Sequence, residues 1–495
     1  MEALQVRLRQ LGANGTLLAL ICVSILMGVL VGYRITLTPY SLVRFLVLVN
    51  VMLIGYIVII RNIYAGMLIY LYSLVFLNYY WRIVIPGKWP DLDVPRLIFV
   101  FVWIIFLLEI LLERRRLLPN GAIGTTMLLV IGAFVLSMLT MALWPTRQLL
   151  NGYVIPYAMY TIAKNTFTDR RTVDRFIFWF AVPLVMYFPL TAIFEHYRVM
   201  VLVFPRYIGE SMGGKFGINW GGRAMGTFIQ PAATGYAMIA TYVLAMYALS
   251  KRAGAFSRIC SVLITILIPI GIFFTYTRSV YAGFLVALVT MLVFSKRQRL
   301  PALILIVAMC LAVIGNWSNV TTSDRTAGGI ATRDTAEARL VLANASMRMF
   351  VDHPLFGVGF TRFIENSRPY VSQVRSTFLG YKEAWLAAGS NQHNQFLSVL
   401  TEIGLSGFVP FVLLYYFVFR MLARARKIRA DAYDYEFVIA VIAIMLAYLT
   451  ETLFIEPRFY EFMNTLPYMM AGIVAGGYQR ATMKRAMAMA RGAST

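Results

Sequence analysis

The chain has 495 residues, of which 60% are apolar and only 14% charged, with a net charge of +23 and a mean hydropathy of +0.72. A soluble domain carries about 25% charged residues, so this composition excludes a soluble globular protein. No basic stretch is interleaved with aromatics on a polar face, which excludes a nucleic-acid binder as the reason for the charge.

Apolar runs long enough to cross a hydrocarbon core of roughly 30 Å as helices fall at 16–33, 38–60, 62–80, 97–112, 122–144, 149–163, 176–194, 231–250, 257–274, 279–294, 300–316, 395–419, 437–454 and 460–478. The expected fold is therefore all-α: a polytopic membrane protein with about fourteen transmembrane helices. The count falls to twelve if the short run 149–163, which contains Asn151, Gly152 and Pro156, is re-entrant. Arg7 and Arg9 precede the first run as in a signal sequence, but no small-residue cleavage site follows, so it reads as a retained helix. With Met1 inside, the short inner segments, such as Arg114-Arg115-Arg116 and Arg424-Ala-Arg426-Lys427, carry most of the short-loop Lys and Arg. That bias orients the chain with both termini in the cytoplasm. Four parts follow: N-terminal helices 1–194, central helices 195–316, an outer loop domain 317–394, and C-terminal helices with a basic tail 395–495. Cys22, Cys260 and Cys310 lie inside apolar runs and offer neither a disulfide framework nor metal-ligand spacing.

Chemistry is expected on the outer segments. Asp91-Leu92-Asp93 has the spacing of a metal-and-diphosphate pair, although two carboxylates are too few to hold Mg²⁺ or Mn²⁺ and the flanking prolines favour a chance match. His196 ends a span with no partner nearby in sequence, which reads as interfacial packing. Arg223-Ala-Met-Gly226-Thr-Phe-Ile-Gln230-Pro231 leads into a helix start, with proline where its missing N–H is harmless. Arg278 occupies a short outer turn and reads either as a headgroup anchor or as a bidentate receptor for phosphate oxygens. In the long loop, Arg339 and Arg348 precede Asp352-His353-Pro354, whose composition is that of a turn. Gln392-His393-Asn394 stands at the outer start of a long span, where the positive helix end disfavours an imidazolium and keeps histidine neutral. The alternative reading is that His393 or Asn394 only caps that helix.

Together these segments resemble the O-antigen ligase superfamily of bacterial membrane glycosyltransferases, which includes O-antigen and exopolysaccharide polymerases and O-oligosaccharyltransferases. His393-Asn394 followed by Gly404 and Gly407, with Glu402 in an E-x-G position, is similar to the family's His-Asn signature. Arg223-x-x-Gly226-x-Phe228 before Gln230-Pro231, Thr277-Arg278, and Arg339 through Asp352-His353-Pro354 to Gly357-Val-Gly359-Phe360 are similar to its other motifs. Ala232 departs from the asparagine common after Pro231. Fourteen spans exceed the twelve of typical ligases and tilt toward a polymerase. The resemblance implies a GT-C-like glycosyltransferase of the bacterial inner membrane, with no metal and no cofactor. It would transfer a glycan from undecaprenyl diphosphate to an acceptor hydroxyl, the lipid A core, on the periplasmic face by an inverting displacement. It assigns His393 as general base, Arg223 and Arg278 to the diphosphate, and Arg339 to a second contact with donor or acceptor. The alternatives are a polymerase joining lipid-linked repeat units of O-antigen or exopolysaccharide, and a flippase. A flippase needs charges lining a path through the membrane, whereas the polar groups here gather at the outer ends.

Overall fold

This computed structural model describes residues 62–78, 82–83, 92–140, 145–212, 222–315, 317, 333–373 and 391–492. The expected spans 16–33 and 38–60 lie outside the described residues, and each of the other twelve coincides with a helix. In chain order these are α1 Ile63–Phe76, α2 Val94–Leu111, α3 Gly121–Thr140, α4 Thr146–Leu149, α5 Ile155–Thr166, α6 Arg170–His196, α7 Tyr207–Met212, α8 Pro231–Ser250, α9 Ala255–Phe274, α10 Arg278–Phe294, α11 Arg299–Gly315, α12 Arg333–Asp352, α13 Phe363–Gln373, α14 Gln395–Ala425, α15 Tyr435–Thr452 and α16 Glu461–Gly492. The only strands among the described residues, β1 Arg82–Ile83 and β2 Leu92–Asp93, form a two-residue antiparallel pair. Seven helices are long and apolar enough to cross a membrane, namely α2, α3, α6, α8, α9, α14 and α15; α1, α10 and α11 are shorter apolar helices. The chain is a multi-pass membrane protein.

The core forms around α8, whose apolar window is entirely buried. A helix that is apolar all round must be enclosed by others, and α6, α9, α10 and α15 enclose it. Elsewhere small residues let backbones close together: a Cβ on Gly472 of α16 would sit 2.5 Å from the Tyr160 carbonyl of α5, and Gly476 meets the Lys164 carbonyl on the same face. This four-residue spacing of glycines is a membrane helix-packing device. The peripheral helices α2, α3, α9 and α11 instead turn large apolar side chains outward, Leu111, Leu129, Ile259 and Leu311 among them, as a surface facing lipid does. Cys260 is buried in α9, while Cys310 is exposed on α11.

The run 149–163 forms neither a break nor a loop. Thr146 to Thr166 follow one helical path of roughly 30 Å, in which Leu150–Val154 is a π segment. A π turn frees a backbone carbonyl, and the Asn464 amide donates to that of Asn151 at 3.4 Å while Arg96 donates to the Asn151 side chain at 3.1 Å. The basic tail continues α16 to Gly492, because its alanines, methionines and long basic side chains favour helix.

α14 departs most from a plain span. Gly404 has φ 66 and ψ −161 inside it, which interrupts the helical hydrogen bonds where water cannot replace them. The turn 354–359, at the end of α12, replaces them. Val358 and Gly359 N–H donate to the Thr401 and Glu402 carbonyls at 3.0 and 2.9 Å, and Leu405 and Ser406 N–H donate to the Pro354 and Leu355 carbonyls at 2.9 and 3.1 Å. The approach leaves no room for side chains: a Cβ on Gly357 would lie 2.4 Å from the Glu402 carbonyl carbon, and one on Gly404 2.5 Å from that of Leu355. Gly357 also has a left-handed φ of 65, so only glycine meets both demands. This interlock fixes α12, and Arg339 with it, against the start of α14.

Candidate active site

Five stretches far apart in sequence meet in one cavity of roughly 470 Å³. Its wall includes Arg223, Tyr276, Thr277, Arg278, Ser279, Arg339, Gln392, His393 and Asn394, with Phe454 from the end of α15. The four residues given roles in the sequence reading, His393, Arg223, Arg278 and Arg339, are thus brought together.

Arg223 is set by the turn before α10. Its Nε donates to the Thr275 carbonyl at 3.1 Å and its guanidinium to Thr277 Oγ1 at 2.6 Å, while the Thr277 hydroxyl donates to the Thr275 carbonyl at 2.8 Å. The threonine preceding Arg278 therefore joins the two arginine motifs. From behind, the buried Glu195 at the end of α6 accepts the Met225 and Gly226 N–H groups at 2.7 and 2.9 Å, which fixes the loop carrying Arg223. Sequence reading missed Glu195, although an acidic residue at the end of an apolar span is the signal that finds such supports. Arg278 is the first residue of α10 and is exposed to the cavity. The Arg339 guanidinium on α12 lies 5.7 Å from the centre of the Phe454 ring.

The structure separates the two readings of His393-Asn394. Asn394 is the cap of α14, its Oδ1 accepting Phe396 and Leu397 N–H at 2.9 and 3.1 Å. His393 stands one residue outside the helix with φ 52, exposed to the cavity. Its neighbours hold this conformation: Ser398 donates to the buried Gln392 Oε1 at 2.6 Å, and Gln395 Nε2 donates to the Tyr153 hydroxyl at 2.6 Å. A non-glycine residue at positive φ costs about 1 kcal/mol or more and persists where its surroundings impose it. Partial desolvation, and secondarily the Arg339 guanidinium, lower the His393 pKa below its usual value. The ring is thereby kept neutral and able to accept a proton near pH 7.

Among the described residues no acid lines the cavity, whereas three arginines and the N-terminal ends of α10 and α14 do. Helix N-termini and guanidiniums both attract oxyanions, the latter in a bidentate way. Such an arrangement can receive phosphate oxyanions, and the His393 imidazole stands beside it.

The remaining candidates lie elsewhere. Asp93 caps α2 through the Arg96 N–H at 2.9 Å and pairs with the Arg96 guanidinium at 3.2 Å, so it serves a helix start; Asp91 is outside the described residues. His196 stacks on Phe274 with ring centroids 4.0 Å apart. His353 follows the last residue of α12, its N–H donating to the Met349 carbonyl at 3.0 Å, and its side chain is exposed and not part of the cavity wall. Glu402, in the E-x-G position, is fully buried and takes both arms of the Arg458 guanidinium, which also pairs with buried Glu456 and lies 5.5 Å from the centre of the Phe360 ring.

Comparison with known proteins gives a consistent picture. No curated protein matches the chain. Residues 262–412 match the family described as O-Antigen ligase. That stretch contains Arg278, Arg339, the Gly357–Gly404 interlock and His393, while Arg223 lies upstream of it. With these motifs assembled in a multi-pass helical fold, the chain carries a domain of the O-antigen ligase superfamily, the glycosyltransferase-type ligases and polymerases that act on lipid-linked glycans.

Proposed function

We propose that this protein transfers a glycan from undecaprenyl diphosphate to an acceptor hydroxyl on the periplasmic face of the bacterial inner membrane. The observation that supports this most is the convergence of Arg223, Arg278, Arg339 and His393 on one cavity that, among the described residues, no acid lines. Arg223 and Arg278 bind the donor diphosphate and stabilise the charge that builds on it as the glycosyl bond breaks. A sugar hydroxyl is a poor nucleophile near neutral pH, so His393 takes its proton as it attacks the anomeric carbon. Arg339 makes a second contact to donor or acceptor and helps keep His393 neutral. One displacement, with no covalent glycosyl-enzyme, inverts the anomeric centre. Diphosphate is a good leaving group once guanidiniums meet its charge, so the proposed step is metal-independent. The acceptor is the lipid A core for a ligase and a second lipid-linked repeat unit for a polymerase; supplying each in turn to the purified protein distinguishes them.

The arginine assignment has its own test. Lys keeps the charge of Arg but loses the planar fork. Arg223→Lys and Arg278→Lys should each reduce transfer by about ten- to a hundred-fold, the worth of one or two charge-assisted hydrogen bonds. An interfacial anchor snorkels equally well as lysine, so wild-type rates in both variants at normal expression would remove these residues from the diphosphate site.

A further inference from the structure

A second cavity lies at the other end of α14. Leu397 lines the first cavity and Arg420 and Arg424 line the second, so the two lie towards opposite ends of this long helix, on either side of its break at Gly404. The second has a volume of roughly 260 Å³ and sits between the start of α3, the end of α14, Tyr160 of α5 and the middle of α16 at Ala475–Gln479. Its wall combines Arg420 and Arg424 with Tyr160, Phe417 and Tyr478, and among the described residues no acid lines it. Both arginines are exposed, and among the described residues neither forms an ion pair. The Lys164 ammonium adds positive charge nearby, bound to the Pro119 and Asn120 carbonyls just before α3 begins.

The apolar surface leading to this cavity has the geometry of a lipid track. Val409, Leu413 and Tyr416 are 48%, 40% and 55% exposed, and their spacing of four and three residues continues to Arg420 and Arg424. All five therefore share one face of α14. Acyl chains lying on the first three would bring a headgroup to the arginines. A guanidinium pair four residues apart suits a phosphate diester, and basic pockets between transmembrane helices are a recurring way of holding anionic headgroups.

We propose that this cavity is a binding site for the phosphate headgroup of an anionic phospholipid, in the leaflet opposite the glycan-transfer cavity. The site is independent of the transfer reaction, and its test does not use activity. The full-length protein is titrated with phosphatidylglycerol or phosphatidylcholine, and bound lipid is counted by native mass spectrometry. Wild type should bind phosphatidylglycerol at one saturable site in preference to phosphatidylcholine. The Arg420→Gln/Arg424→Gln variant should bind it about thirty-fold more weakly, roughly five-fold per arginine. The control Arg426→Gln/Lys427→Gln, which removes the same charge from the adjoining segment, should bind like wild type. Equal binding of the two lipids by wild type, a reading that needs no variant, would overturn the proposal. So would equal weakening in the control, which would mean nonspecific attraction, or full displacement by millimolar inorganic phosphate, which would make this a site for the free ion.

Discussion

Replacing His393 by alanine should abolish glycan transfer, with a loss of about a hundred- to ten-thousand-fold, the usual worth of a positioned general base. The folded protein should persist, because His393 lies outside α14 and Asn394 makes the cap. The more discriminating variants are His393→Gln and His393→Asn. Both hydrogen-bond but take up no proton at working pH, and asparagine also tolerates the left-handed backbone that this position requires. Substantial turnover in either would show that the position is structural. The pH profile adds a signed test. The base works as neutral imidazole, so activity is retained above the His393 pKa and lost as pH falls through it. Because that pKa is lowered, activity should extend further into acid than an ordinary histidine allows. Arg339 contributes to the lowering, so Arg339→Gln should raise the pKa and move the acid limb to higher pH. An unmoved limb would separate Arg339 from the base.

The largest expected loss of stability is at Arg458. It is the only cation in direct contact with two buried carboxylates, Glu402 and Glu456, among the ion pairs of the described residues. Removing one partner of a buried charge network costs about 3–5 kcal/mol, because the remaining charges are left without compensation. Arg458→Met should therefore lower the thermal unfolding temperature sharply or prevent accumulation in the membrane. Adding Glu402→Gln and Glu456→Gln should recover part of the loss, since the uncompensated carboxylates are then gone. An Arg458→Met protein that melts like wild type would contradict the role of this network in holding the Glu402–Gly404 break of α14 in place.

These two expectations differ in how legible their residues are in the sequence. Apolar run length shows the helices directly, because crossing a bilayer demands about twenty apolar residues whatever their partners. His393, Arg223 and Arg278 stand out as polar residues at or just before the outer entries to spans, whereas Arg339, inside the long loop, stands out only through the motif it resembles. Pairings between distant segments are not visible in this way. Glu402 is readable as part of an E-x-G pattern, but its partner Arg458 lies 56 residues later. The glycines at 357 and 404 read as motif letters, while their reason, mutual backbone approach across the break in α14, exists only once the chain folds. The π segment at Leu150–Val154 answers to Asn464 and Arg96, so the local weakness of 149–163 as a span was real and its compensation nonlocal.

The central claim is chemical: this cavity forms a glycosidic bond by direct displacement on an undecaprenyl diphosphate glycan. The measurement that tests it most directly is transfer by the purified protein in liposomes from a purified donor of known anomeric configuration, with EDTA present and the new linkage read by NMR. The account predicts product in EDTA with the anomeric configuration inverted. Retention of configuration, activity abolished by EDTA and restored by Mg²⁺ or Mn²⁺, or donor moved across the bilayer without a new glycosidic bond would contradict it.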